Sequence, residues 1–242
     1  MGGDAGPGNG NSVQSNLIGV APDGTTALGN REDGIDINGS DNVIGSPTTG
    51  NSIGYNGQVG VAVELSPTFV RNAIRGNNIF YNGGLGIDLG DNGVTPNDPM
   101  DPDVGPNNFQ NFPDLTSVSL SGSTATISGT LNSTPLSTFI IDFFASQIWD
   151  PTQFGEGQKY LGSITVTTDA AGNASFTATM GGVPAGYNYF AATATDSAGN
   201  TSEFDHDPPA PSASQSPNPP SSLPAQKRTD SGVLGSSIAS VL

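Results

Sequence analysis

Short apolar pieces alternating with period two, broken by Asn-Gly, Gly-Gly and Ser-Pro, run along the chain from Asn11 to about Gly90. Ile35/Ile37, Val61/Val63 and Ile87/Leu89 each place alternate side chains on one face, which is the pattern of a strand with one buried side. The pieces are too short for helices. The residues between them accept the left-handed conformation or preset a turn.

These pieces repeat. Asn51-Ser-Ile-Gly-Tyr-Asn-Gly-Gln-Val-Gly-Val-Ala-Val63 returns as Asn77-Asn-Ile-Phe-Tyr-Asn-Gly-Gly-Leu-Gly-Ile-Asp-Leu89, an offset of 26 from Asn51 to Asn77. The same offset backward sets Gly34-Ile-Asp-Ile37 on Gly60-Val-Ala-Val63 and Asn30 on Asn56, a weaker third copy. Pieces of the form Asn-x-Ile precede the copies at Asn16, Asn42 and Asn72. About three strands per repeat predict one coil of a parallel β-helix, in which no coil buries its apolar face without a neighbour. Gly34, Gly60 and Gly86 then line one edge, and Ile35, Val61 and Ile87 form one interior row. Asn30, Asn56 and Asn82 fall at one corner, as turn residues and as an amide ladder along the axis. The first coil starts mid-pattern at Ser12 without a polar cap, so a longer solenoid is expected upstream.

From Leu115 the runs lengthen: Leu115 to Leu120, Thr124 to Leu131, Thr138 to Ala145, Tyr160 to Thr168, Ala174 to Thr179, Tyr187 to Thr195 and Thr201 to Phe204. Seven strands with turn signals between them predict an immunoglobulin-like β-sandwich. Asp169-Ala-Ala-Gly-Asn173 and Asp196-Ser-Ala-Gly-Asn200 read as hairpin turns. Trp149, Phe154 and Tyr160 lie in or beside the long connection from Ser146 to Lys159. A sugar-stacking platform is one reading for them, and packing at the end of the core is the favoured one. After Phe204 the chain is Pro- and Ser-rich and too poor in apolar residues to fold alone. The expected organisation is all-β: a short right-handed parallel β-helix over 1–92, an acidic Pro-rich junction over 93–113, an immunoglobulin-like β-sandwich over 114–205 and a disordered tail over 206–242.

Composition narrows the function. Six Lys plus Arg against 22 Asp plus Glu give a net charge of −16, which repels phosphate backbones and argues against nucleic acid as a partner. With no Cys the chain has no disulfide and no thiolate site. No apolar run reaches the length of a membrane span. Met1 to Asn11 has neither the basic nor the apolar segment of an export signal, so such a signal is expected upstream.

Candidate chemistry is sparse. Polysaccharide lyases need a Lys or Arg base beside acidic calcium ligands, and hydrolases need paired carboxylates. The sole His is His206, and Arg71 and Arg75 flank Ile74 pointing away from the coil. Asp36 and Asp88 align in the repeat with Ala62 between them and read as solvent-facing acids. At the junction, Asp98-Pro-Met-Asp101-Pro-Asp103-Val-Gly-Pro-Asn107 spaces oxygen ligands as short calcium loops do. Asp98, Asp101, Asp103 and Asn107 are therefore candidate calcium ligands; the plainer reading is a linker held extended by its own charge.

Four stretches together carry a resemblance: Asn16 to Asn30, Asn82-Gly-Gly-Leu-Gly-Ile-Asp-Leu-Gly90, Gly105-Pro-Asn-Asn-Phe-Gln-Asn-Phe-Pro113 and Ala192-Thr-Ala-Thr-Asp-Ser-Ala-Gly-Asn-Thr-Ser-Glu-Phe204. The chain resembles bacterial right-handed parallel β-helix repeat surface proteins whose C-terminal β-sandwich modules carry the same closing motif. The resemblance implies secretion or cell-surface location and little about chemistry. The expectation is a non-catalytic structural or adhesive module whose partners are extracellular polysaccharide or other surface proteins. The alternative is a carbohydrate-binding or polysaccharide-modifying protein related to pectate lyases.

Overall fold

The structure is a computed structural model and describes residues 8–206. The tail expected beyond residue 206 lies outside the described residues, as do residues 1–7. Among the described residues the regular elements are strands, apart from one 3-10 turn at Pro106–Phe109.

Nine short strands come first: β1 Ser12–Val13, β2 Leu17–Ile18, β3 Ile35–Ile37, β4 Val43–Ile44, β5 Ser52–Gly54, β6 Val61–Glu64, β7 Ala73–Ile74, β8 Asn78–Phe80 and β9 Ile87–Gly90. They form three parallel sheets, β1-β4-β7, β2-β5-β8 and β3-β6-β9, so each sheet takes one strand from each of three stacked turns of chain. Ile35, Val61 and Ile87 stand in one row, and Ile37, Val63 and Leu89 in another. With Ile44, Ile53, Ile74 and Ile79 they fill the interior. Gly60 is required by close approach: a Cβ there would lie 2.6 Å from the Gly86 carbonyl oxygen in the next coil.

The repeat is less regular than its 26-residue offset. Asn16 and Asn51 are 35 residues apart, whereas Asn51 and Asn77 are 26 apart. The first coil therefore carries nine extra residues, held as a loop by the Val20–Ala27 bridge. This corrects one alignment. Leu17–Ile18 stacks on Ser52–Ile53, while Ser12–Val13 stacks on Val43–Ile44. Consequently there are three Asn ladders. Asn30 donates to Asn56 and Asn56 to Asn82. Asn16 donates to Asn51 and Asn51 to Asn77, and Asn11 donates to Asn42 and Asn42 to Asn72.

Six longer strands follow: β10 Asp114–Ser121, β11 Thr124–Asn132, β12 Thr138–Ser146, β13 Lys159–Thr167, β14 Asn173–Met180 and β15 Tyr189–Asp196. They form two antiparallel sheets, β10-β11-β14 and β13-β12-β15. Side chains from both, including Ile127, Leu131, Phe139, Ile141, Phe143, Phe176 and Phe190, share one core. The expected seventh strand, Thr201 to Phe204, is absent as such. Only Thr201 bridges to β15, and Ser202 Oγ and Asp205 Oδ1 take backbone N–H groups of Ala194 and Ala192 that a partner strand's carbonyls would otherwise accept.

Strand β12 reads Thr-Phe-Ile-Ile-Asp-Phe-Phe-Ala-Ser, apolar on both faces, as a strand covered on both sides must be. Phe139, Ile141, Phe143 and Ala145 face the shared core. Phe144, with Ala191 of β15 and Phe204, packs instead into the interior of the coil stack. The second unit thus closes the open end of the first.

Candidate functional site

A terminal coil leaves backbone N–H groups aimed at a coil that is not there, and each costs the price of a lost hydrogen bond if buried without a partner. Here the rest of the chain supplies the acceptors. Asn72 N–H donates to Asn107 Oδ1 at 2.9 Å, Ile74 N–H to Thr201 Oγ1 at 3.0 Å and Ile79 N–H to the Gly157 carbonyl at 2.8 Å. Glu156 Oε1 ends the Asn30–Asn56–Asn82 ladder, accepting from Asn82 Nδ2 at 2.8 Å and from its N–H at 3.2 Å. Glu203 accepts from Leu89 N–H and Thr95 N–H, one on each oxygen.

Burial drives the pKa of Glu156 up to about 8, against the opposing hydrogen bond from Asn82. Burial also takes Glu203 up to about 8, opposed by the Leu89 and Thr95 amides. One ion pair crosses the same junction. Arg75 reaches Asp142 with two hydrogen bonds, Nε to Oδ2 at 2.9 Å and Nη2 to Oδ1 at 2.7 Å, and Asp142 is wholly buried. The expectation that Arg75 merely points away from the coil is therefore incomplete, because its outward side is the junction. Arg71 pairs with Asp41 at the surface.

The acidic loop is folded against the second unit, so the extended-linker reading fails. Asn111 organises it: its Oδ1 accepts from Asp98 N–H, and its Nδ2 donates to the Asp98 and Asn132 carbonyls. Asp98, Asp101 and Asp103 each bring one carboxylate oxygen into a group within 4.8 Å. Oδ1 of Asp98 and Oδ1 of Asp103 are buried without a hydrogen-bond partner. Burial raises Asp101 to about 6, with hydrogen bonds from Ser133 and Asn111 opposing and the charges of Asp103 and Asp98 adding.

The fourth candidate, Asn107, does not join them. It is fully buried under the coil stack, where Asn72, through its N–H and carbonyl, and the Thr201 carbonyl take both ends of its amide. Asn107, Asn108 and Phe109 all adopt positive φ, a left-handed turn that carries the amide under the coil. Three carboxylates suit a calcium ion that draws further oxygens from solvent. Millimolar calcium is expected to raise the melting temperature relative to chelator, and the Asp101→Ala, Asp103→Ala double variant is expected to erase the rise. An unchanged melt in the parent protein rules out a structural cation in this loop.

Other expected sites resolve differently. Asp88 is not solvent-facing: it is buried and braces a turn by accepting from Asn92 and Gly93 N–H. Asp36 remains exposed and accepts from Asn38. His206 stacks edge-on with Phe154, and Tyr160 packs on Phe144. Trp149 is no core plug, since it is 40% exposed. No known protein-family model matches the chain, and a search of curated proteins finds no relative. Among the described residues no helix is long and apolar enough to cross a membrane.

Proposed function

We propose that the chain is a non-catalytic structural or adhesive module of a secreted or cell-surface protein. In this reading it is a short right-handed parallel β-helix closed at one end by an immunoglobulin-like β-sandwich. The three stacked parallel sheets and the two facing antiparallel sheets support the architecture. The observation that carries the function is the junction. Backbone amides of the last coil, Asn82 at the end of its ladder and the Arg75 guanidinium are all satisfied by side chains and carbonyls from beyond the coils. A solenoid so joined is a stiff rod that holds its faces at a fixed angle, which is what a spacer or display element requires.

The resemblance to bacterial surface repeat proteins points the same way and makes extracellular polysaccharide or other surface proteins the natural partners. Purified protein is expected to release neither reducing nor unsaturated ends from pectin, polygalacturonate or alginate above a heat-inactivated control. Turnover that is lost on mutating Asp36 or the Asp98–Asp103 loop would replace this reading with an enzyme.

A further inference from the structure

Beside the junction lies a cleft of about 130 Å³ built from both units. Phe80 and Tyr81 of the last coil form one wall, and Trp149 and Tyr189 of the second unit form another. Asp150 and Glu156 are among the other residues that line it, and among the described residues no Lys, Arg or His does. Trp149 meets Tyr189 edge to face at 5.9 Å, and Phe80 meets Tyr81 edge to face at 5.6 Å, so the rings hold one another in place. Ile148 and Trp149 are exposed by 50% and 40%, an apolar surface that the coil junction does not explain.

The polar groups around the cleft are largely committed elsewhere. Gln158 accepts from Gln147 N–H and donates to Tyr81, Ser146 donates to the Glu156 carbonyl, and Asp150 holds Thr152. A sugar ring, which needs many hydroxyls satisfied, finds few free partners here. A cation with an apolar skin suits the site better: ring faces attract it through their quadrupoles, and Asp150 in the lining and the chain's net charge of −16 favour it at longer range.

We infer that this cleft binds a small organic cation bearing an alkylated ammonium group, of the trimethylammonium kind. The inference goes beyond the structural role proposed above and does not depend on it.

Trp149 is the only Trp in the chain, so its fluorescence reports on the cleft directly. Titration with tetramethylammonium and with choline is expected to change that emission saturably, with a calorimetric isotherm to match. The neutral isostere 3,3-dimethylbutan-1-ol and glucose are expected to bind at least tenfold more weakly. Phosphocholine, whose phosphate is repelled by Asp150 and the chain's net negative charge, is expected to fall below choline, which separates a free amino alcohol from a lipid headgroup. Trp149→Leu keeps apolar bulk and loses the ring; calorimetry is expected to show roughly a tenfold weaker isotherm for choline at an unchanged melting temperature. Equal binding of the neutral isostere, tighter binding of glucose, or no saturable change with either cation overturns the inference.

Discussion

Val61→Asp is expected to abolish the folded coil stack. Val61 has no measurable exposure and sits in the middle of the Ile35–Val61–Ile87 row. A carboxylate placed there has no cation or hydrogen-bond donor in the apolar interior, and the cost of several kcal/mol is a large fraction of the stability of a typical domain. Among the described residues three coils share the interior, so little packing remains to absorb the loss. Val61→Ala, by contrast, removes methyl groups without adding charge and is expected to cost about 2 kcal/mol and leave a folded protein. Because Phe144, Ala191 and Phe204 rely on the coils for cover, the aspartate variant is also expected to disturb the second unit. Circular dichroism and the amide spectrum check both outcomes. A native-like spectrum for Val61→Asp would mean that this row is not the interior.

Raising the pH from 5 to 9 is expected to destabilise the protein. Burial pushes Glu156 and Glu203 up to about 8 in the fold, against an ordinary glutamate value of 4.5. Between those values the unfolded chain has already released protons that the folded protein retains. Stability therefore falls as pH rises through this window, by at most about 1.4 kcal/mol per pH unit for each group, and levels off above 8. Asp101, raised to about 6, adds to the fall over the lower part of the range. For a protein of this size the melting temperature is expected to drop by roughly 10 °C or more across the window. Glu156→Gln retains an oxygen acceptor for Asn82 but cannot ionise, so it is expected to melt above the parent at pH 9 and to show a shallower pH slope. Parallel slopes for variant and parent would mean that Glu156 does not titrate in the fold.

The coil interior was legible in the sequence where the offset stays constant. Gly60 and Gly86, Val61 and Ile87, and Asn56 and Asn82 are all related by 26 residues, and each pair stacks. The first coil was harder to read because its nine-residue insertion shifts the true partner of Asn16 from Asn42 to Asn51. The closing contacts were not legible by any periodicity, since Glu156, Thr201 and Glu203 lie 74 to 127 residues from the groups they satisfy. Two local signals nevertheless stood in the sequence. An acid inside the apolar run of β12 requires a buried partner, which is Arg75, and a run apolar on both faces requires cover on both sides. In the acidic loop the sequence grouped Asp98, Asp101 and Asp103, whose carboxylates do lie together in the fold. Asn107 was miscast because proximity in sequence to Asp103 does not reveal that a left-handed turn carries its amide away.

Hydrogen exchange at the last coil tests the closure most directly. The amides of Asn72, Ile74, Ile79, Asn82 and Leu89 have their acceptors on Asn107, Thr201, Gly157, Glu156 and Glu203. If the second unit seals the stack, these five are expected to exchange only through global unfolding, as slowly as Val61 and Ala73 inside the stack. Exchange of the five at loop-like rates, while Val61 and Ala73 stay protected, would show two units that merely touch and would contradict the rigid module proposed here.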